Sequence, residues 1–403
     1  MSQSTSAVAH HFTLPLIFTL ATQSLTSLSS QAIPVVANEA ARGFGLDKDL
    51  VGFFISSTYL VAMVSALAGG TYALRHGAVR ISQICLLLCM AGLVLFASGS
   101  VWALPIAALL MGMGYGPATP ASSQILARVT PLHLANLVFS IKQTGVPLGG
   151  ILAGAVIARL VAPIGWQGAL LAAAGACMVL AVALEPLRMR YDTELGQGRL
   201  PSLGELLQPL RLVIAMAPIR RLALISVSFS AVQVSLSTFL VLYLMQRLAM
   251  SLESAGLILA ATLAAGVVGR VVWGAVADFT RRPRQLLGLL ALVMSLCAVL
   301  MTLISTAWPL ALLLALCCAF GGSAIGWNGV YLAEVAKAAP PGSAGIITGG
   351  VSFFTFSGPL IGPSLFSAIL WATDSYAAGF LTMGAMTLVS GVMLLRDAWK
   401  QRR

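Results

Sequence analysis

Twelve apolar stretches, each about 20 to 27 residues long, follow one another along the chain and leave room for little else. About 20 residues of helix span the ~30 Å hydrocarbon core of a bilayer. Backbone polar groups in hydrocarbon must be satisfied within the protein, which leaves helices as the spanning structure for runs of this length. The chain therefore reads as an all-α polytopic membrane protein. Its predicted spans are 12–36, 50–74, 79–99, 102–127, 135–161, 165–186, 221–246, 253–277, 285–305, 308–334, 343–369 and 374–396. Only 9% of the 403 residues are charged, against roughly 25% in soluble domains.

The polar stretch 187–220 divides the spans into two sixes, giving an N-terminal bundle over 1–186, a linker, and a C-terminal bundle over 221–403. Within the linker, Ser202-Leu-Gly-Glu205 has the spacing of a capping box. Leu203, Leu206, Leu207 and Leu210 follow as an apolar stripe, so a short amphipathic helix on the membrane surface is expected.

With the N-terminus inside, seventeen of the 23 Lys and Arg fall in inner loops and the C-terminal tail, and four in outer loops. Cytoplasmic loops carry such an excess, so both termini are expected in the cytoplasm. Trp102, Trp166, Trp308 and Trp371 fall at the outer span ends, as an interfacial belt would. The net charge of +11 is thus read as membrane orientation and not as nucleic-acid binding. The first apolar run exceeds the apolar core of a signal peptide and has no Lys or Arg before it, so it reads as a retained helix. All six cysteines lie within apolar runs, and neither a metal cluster, a Gly-rich phosphate loop nor a Ser/His/Asp set stands out. Cofactor-dependent and enzymatic chemistry are not expected.

Two cations break the apolar pattern. Lys142, followed by Gln143, lies about a third of the way into the fifth span, ahead of glycines at 145, 149, 150 and 154. A cation in hydrocarbon costs at least ~2.5–3.5 kcal/mol on insertion scales, so it must face protein, water or a ligand. The Gly-x-x-x-Gly spacings let a neighbouring helix approach closely. Arg270 lies eight residues before Asp278, hence roughly 12 Å into the eighth span, with Gly266 and Gly274 on the same helix face. Its planar fork suits a carboxylate.

The chain also repeats itself. Asp49-Leu-Val-Gly52 matches Glu253-Ser-Ala-Gly256, Gly70 matches Gly274, Arg128…Pro131 matches Lys337…Pro340, and Gly145-x-Pro-x-Gly149 is echoed by Gly358-Pro-x-x-Gly362. Four landmarks in one order indicate two homologous halves, with a binding site expected near the midplane.

Two six-helix halves, a charged linker and these loop signatures resemble the major facilitator superfamily. Its signature between helices 2 and 3, Gly-x-x-x-Asp-Arg-x-Gly-Arg-Arg, is matched here by Gly70-Thr-Tyr-Ala-Leu74-Arg75-His-Gly77-Ala-Val, with Leu74 where the acid belongs. The second half, Gly274-Ala-Val-Ala-Asp278-Phe-Thr-Arg281-Arg282, keeps the acid. The run Arg270–Asp278 is similar to helix 8 of monocarboxylate and oxalate/formate porters, where the matching arginine is thought to hold a substrate carboxylate.

The resemblance implies a secondary transporter of a small organic anion, a monocarboxylate above others, working by alternating access around one central site. Arg270 and Lys142 are expected to bind the anion, with Gln143, Gln23, Gln233, Trp327, Asn328 and Tyr331 as further cavity residues. Asp278, Arg75 and Arg128 are assigned to gating. The plainer reading of the glutamines and the Trp327–Tyr331 group is helix–helix packing. Lys142 could equally snorkel to the surface, Arg270 could bond helix-end carbonyls, and Glu334 could pair with either. A drug/proton antiporter is the alternative, suggested by Gly145-Val-Pro-Leu-Gly149-Gly150, and a transporter-like membrane sensor is the third reading. A co-transported proton, a monomer in lipid and a bacterial inner-membrane location complete the expectations.

Overall fold

The computed structural model describes residues 2–44, 49–192 and 203–400, and among them every regular element is helical. The first three spans are the helices Ser2–Phe44, Asp49–His76 and Ala78–Ala97. The fourth is made of two helices, Leu104–Tyr115 and Ala118–Val129, which meet at Gly116 and Pro117. The fifth begins at Ala135, passes a single π-helical turn at Ala153–Ile157, and leads into the sixth where Gly165 turns the chain with φ 74° and ψ 168°. The seventh to ninth are Ala217–Leu248, Leu252–Thr280 and Pro283–Thr302. The tenth is again two pieces, Leu310–Ala324 and Asn328–Ala338. The eleventh and twelfth are Ala344–Thr373 and Tyr376–Lys400. Ten helical stretches among the described residues are long and apolar enough to cross a membrane. The fifth and sixth spans run together in one of them, Leu132–Ala183, and the first span is not among the ten.

The described chain forms two compact units. One gathers residues 1–131, 142–220 and 335–353; the other gathers 132–141, 221–334 and 354–403. The sequence halves supply the bulk of each, but the opening residues of the fifth span pack with the second unit, and those of the eleventh with the first. Neither exchange is visible in the apolar pattern, which is the same on both sides of the cut.

Within the first unit, the fifth span lies against the first. Gly149 permits this: a Cβ there would stand 2.4 Å from the Ser24 carbonyl oxygen and 2.6 Å from the Leu28 nitrogen. Beside it, the Ser27 hydroxyl donates to the Val146 carbonyl at 2.7 Å. The second unit repeats the arrangement between its seventh and eleventh spans. A Cβ on Gly358 would meet Ser230, the Ala231 nitrogen and the Val227 carbonyl oxygen, and the Ser230 hydroxyl donates to the Thr355 carbonyl at 2.9 Å. The contacts thus make Gly149 the counterpart of Gly358. The sequence echo, which set Gly145 against Gly358, is out by one helical turn, because glycines recur every four residues along both helices. Gly154 faces nothing within 4 Å and takes no part in the seam.

Ser202 lies outside the described residues, and the chain after it forms two short helices, Leu203–Leu206 and Gln208–Ala215. Pro209, near the start of the second, begins a new helix. Pro209 and Val213 are buried, Leu206 and Leu210 are half-buried, and Leu207 is exposed. Pro209 and Val213 pack on Gly350 of the eleventh span. Trp166, expected in an interfacial belt, is buried against Phe44 and Phe96 in the aromatic core of the first unit; Trp102 and Trp371 are fully exposed, as a belt requires.

Gly149→Val should cost about 1–3 kcal/mol or more through overpacking of the seam, read as a lower melting temperature of the purified protein in detergent. Gly150→Ala, with its nearest outside atom at 3.8 Å, should melt like the parent.

Candidate functional site

Lys142 is 1% exposed, at the point where the first, fourth and fifth spans meet. Its ammonium donates to the side-chain oxygens of Gln23 at 2.8 Å and Gln143 at 3.0 Å, with the Thr119 hydroxyl at 3.4 Å. Thr119 in turn donates to Gln23 at 3.0 Å. The glycine seam brings the fifth span close enough to the first for a buried lysine to reach a glutamine on it. These three neutral oxygens lower the cost of burying the charge. Snorkelling is not what Lys142 does here. Thr119 carries no charge and no telling spacing, which is why sequence reasoning passed over it.

In the second unit Arg270 is 2% exposed, and its Nε donates to the Ile325 carbonyl at 3.0 Å. Ile325 sits at the interruption of the tenth span, between Ala324 and Asn328, where carbonyls leave the helical ladder. The helix-end carbonyl considered for Arg270 is therefore a real partner of its Nε. The eighth span approaches this point through small residues: Cβ atoms on Gly266 and Gly269 would meet Ile325 and the Gly322 carbonyl. Trp273, another residue without a sequence signal, donates its indole N–H to that carbonyl at 2.7 Å. Gln233 on the seventh span accepts from the Trp327 indole N–H and the Asn328 amide, both at 3.2 Å. Those two bonds fix which end of the Gln233 amide is oxygen. Gln233 and Asn328 are half-buried, whereas Trp327 and Tyr331 are 0% and 1% exposed, and the Trp327 ring meets Phe229 and Tyr331 edge-on. Trp327 and Tyr331 are packed within the second unit. Glu334 accepts from Arg284 Nε at 3.1 Å.

The residues assigned to gating are held at span ends. Asp278 accepts the backbone N–H groups of Asn136 and Leu137 at 3.2 and 2.8 Å, and the Asn136 side-chain amide at 2.7 Å. It caps the opening turn of the fifth span, where unpaired donors and the helix dipole favour an anion. A Cβ on Gly274 would meet Ser140, one turn further along the same helix. Arg75 pairs with Glu205 of the linker at 3.1 Å, and Arg128 donates to the Tyr191 carbonyl at 2.9 Å. Sequence reasoning missed Asp192, which accepts from the N–H groups of Val79 and Arg80 at 3.1 and 2.9 Å and so caps the third span. Gly77, at φ 94°, makes room for it. Burial pushes the Asp192 carboxyl above its ordinary pKa, against the pull of these N–H groups.

Comparisons with known proteins agree with this architecture. The sequence pattern of the family described as Major Facilitator Superfamily matches residues 19–363. A 3-(3-hydroxy-phenyl)propionate transporter of Escherichia coli K12 is 30% identical over 175 residues, covering 42% of this chain and 41% of that protein. The chain thus matches about two fifths of that relative's length. A hexuronate transporter of Bacillus subtilis 168 is 22% identical over 390 residues, covering 92% of this chain and 90% of that one. The E. coli fucose:proton symporter has the same fold, with a TM-score of 0.75 at 13% identity, covering 96% of this chain and 99% of that one.

Asp278→Ala removes the acceptor for two backbone donors and should cost about 0.5–2 kcal/mol, as lost helix caps do. Asp278→Asn, which keeps one oxygen, should lose less. Chemical denaturation of the purified protein compares the two.

Proposed function

Because the chain belongs to the major facilitator superfamily of membrane transporters, we propose that it carries a small organic anion, a monocarboxylate, across the membrane by alternating access. The observation that carries this reading is Arg270, a guanidinium buried inside an apolar helix at the break in the tenth span. A guanidinium stays charged when buried, and its planar fork matches a carboxylate in two parallel bonds. In the first unit Lys142, beside Gln23 and Gln143, is a second buried cation, of point-like charge. In a low-dielectric interior each attraction is several-fold stronger than in water. The names of two relatives support the class, since hydroxyphenylpropionate and hexuronates are both carboxylates.

Gln233 and Asn328, half-buried with their amides fixed by mutual bonding, are assigned to the polar remainder of the substrate. Trp327 and Tyr331 hold that wall in place. Asp278 is assigned to the gate that alternates. All twelve acidic residues lie in predicted loops or within a residue of a span end, so a coupled proton enters on the substrate or on a group other than a mid-membrane carboxylate. The basic loops orient both termini to the cytoplasm of a bacterial inner membrane, and the chain acts as a monomer.

Uptake into proteoliposomes of a radiolabelled panel of benzoates, phenylpropionates, hexuronates and short aliphatic acids, with and without a pH gradient, tests the reading. Arg270→Gln should weaken binding of the transported acid by about 2–5 kcal/mol, the range for truncating one partner of a buried charge pair. Arg270→Lys should rescue poorly because an ammonium lacks the fork, while Lys142→Arg should be better tolerated. Undiminished uptake by well-folded Arg270→Gln would falsify the assignment.

A further inference from the structure

The internal repeat makes a forecast that the first half does not meet in the expected way. Asp278 of the second half caps the N–H of Asn136, the second residue of its helix. The repeat offsets carry Asp278 onto Leu74 and Asn136 onto Gly345, itself the second residue of the eleventh span. Leucine has no acceptor, yet the Gly345 N–H is bonded. Gln124, on the fourth span, accepts from it at 2.7 Å through Oε1 and donates through Nε2 to the Gly342 carbonyl at 2.9 Å. Its Oε1 takes the place of the absent carboxylate, and its Nε2 adds a second bond that a carboxylate could not make.

The position is crowded enough to hold that geometry. A Cβ on Gly345 would fall 2.9 Å from Gln124 and 3.0 Å from the Pro120 carbonyl, and one on Gly70 would fall 2.1 Å from the Gly345 carbonyl. Leu74 and Gln124 line the same small cleft, together with Arg128 and Asp192. Arg75, whose neighbour in the family signature is the acid, pairs with Glu205.

We propose that Gln124 is the positioning residue that docks the start of the eleventh span in the first unit, as a neutral clasp standing in for the signature acid. The two ends that must let go during transport are then chemically unlike: a carboxylate holds the fifth span, and an amide holds the eleventh. The amide clasp is indifferent to protonation. This rests on the alternating-access reading but not on the nature of the substrate.

Backbone hydrogen exchange on the full chain in nanodiscs tests it without any substrate. Gln124→Ala should speed exchange across 342–347 about fivefold to tenfold, the worth of a lost hydrogen bond, and leave 135–138 unchanged. Gln124→Glu, which keeps the acceptor, should stay within about twofold of the parent at neutral pH. In the Gln124→Ala background, Leu74→Asp should restore protection above the carboxyl titration and lose it as pH falls through that range, when each is compared with the parent at the same pH. The parent should show no such step. Unchanged exchange in Gln124→Ala, or rescue by Leu74→Asp that ignores pH, overturns the proposal. If every acid in the uptake panel fails while this exchange pattern holds, the substrate reading falls and the clasp stands.

Discussion

Inside hydrocarbon, helices gain nothing by burying one apolar face against another, because lipid is as apolar as leucine. What holds them is close approach and the few polar bonds that closeness allows. The rest of this protein follows from that limit. Gly149 and Gly358 let two helices in each unit meet at backbone distance, and a serine hydroxyl spans each seam. Remove the small residue and the hydroxyl no longer reaches its carbonyl.

The same closeness makes buried charge tolerable. Lys142 reaches Gln23 because the seam below it has already drawn the first and fifth spans together. Arg270 reaches a carbonyl because the tenth span is broken where Gly266 and Gly269 bring the eighth span alongside. In both places the cation donates to an uncharged oxygen of a neighbouring helix, which replaces part of its lost solvation.

The spans, the two-fold repeat and both buried cations were legible in the sequence, since each is a departure from or a recurrence of apolar pattern. Asp278 was legible as well, because a carboxylate at a span end has few roles. The neutral contacts were not. Gln124, Thr119 and Trp273 have no charge and no periodicity, and what they do depends on which backbone group lies opposite. Trp327 and Tyr331 are buried rings beside the break in the tenth span, and the rings they pack on could not be read from their spacing. In the linker, Pro209 lies at the start of a second helix that buries Pro209 and Val213, a break that the leucine spacing does not mark.

The π-helical turn at Ala153–Ile157 has a counterpart nowhere in the continuous helix Ala344–Thr373. A π turn takes one residue more than the α turn it replaces, and one residue is about 100° of helical rotation. The two halves therefore keep register up to the serine seam and lose it beyond. Past Ile157 the fifth span presents side chains to its surroundings that simple duplication would have pointed elsewhere, so the far ends of the halves are free to differ in chemistry while the near ends remain bound by their shared ancestry.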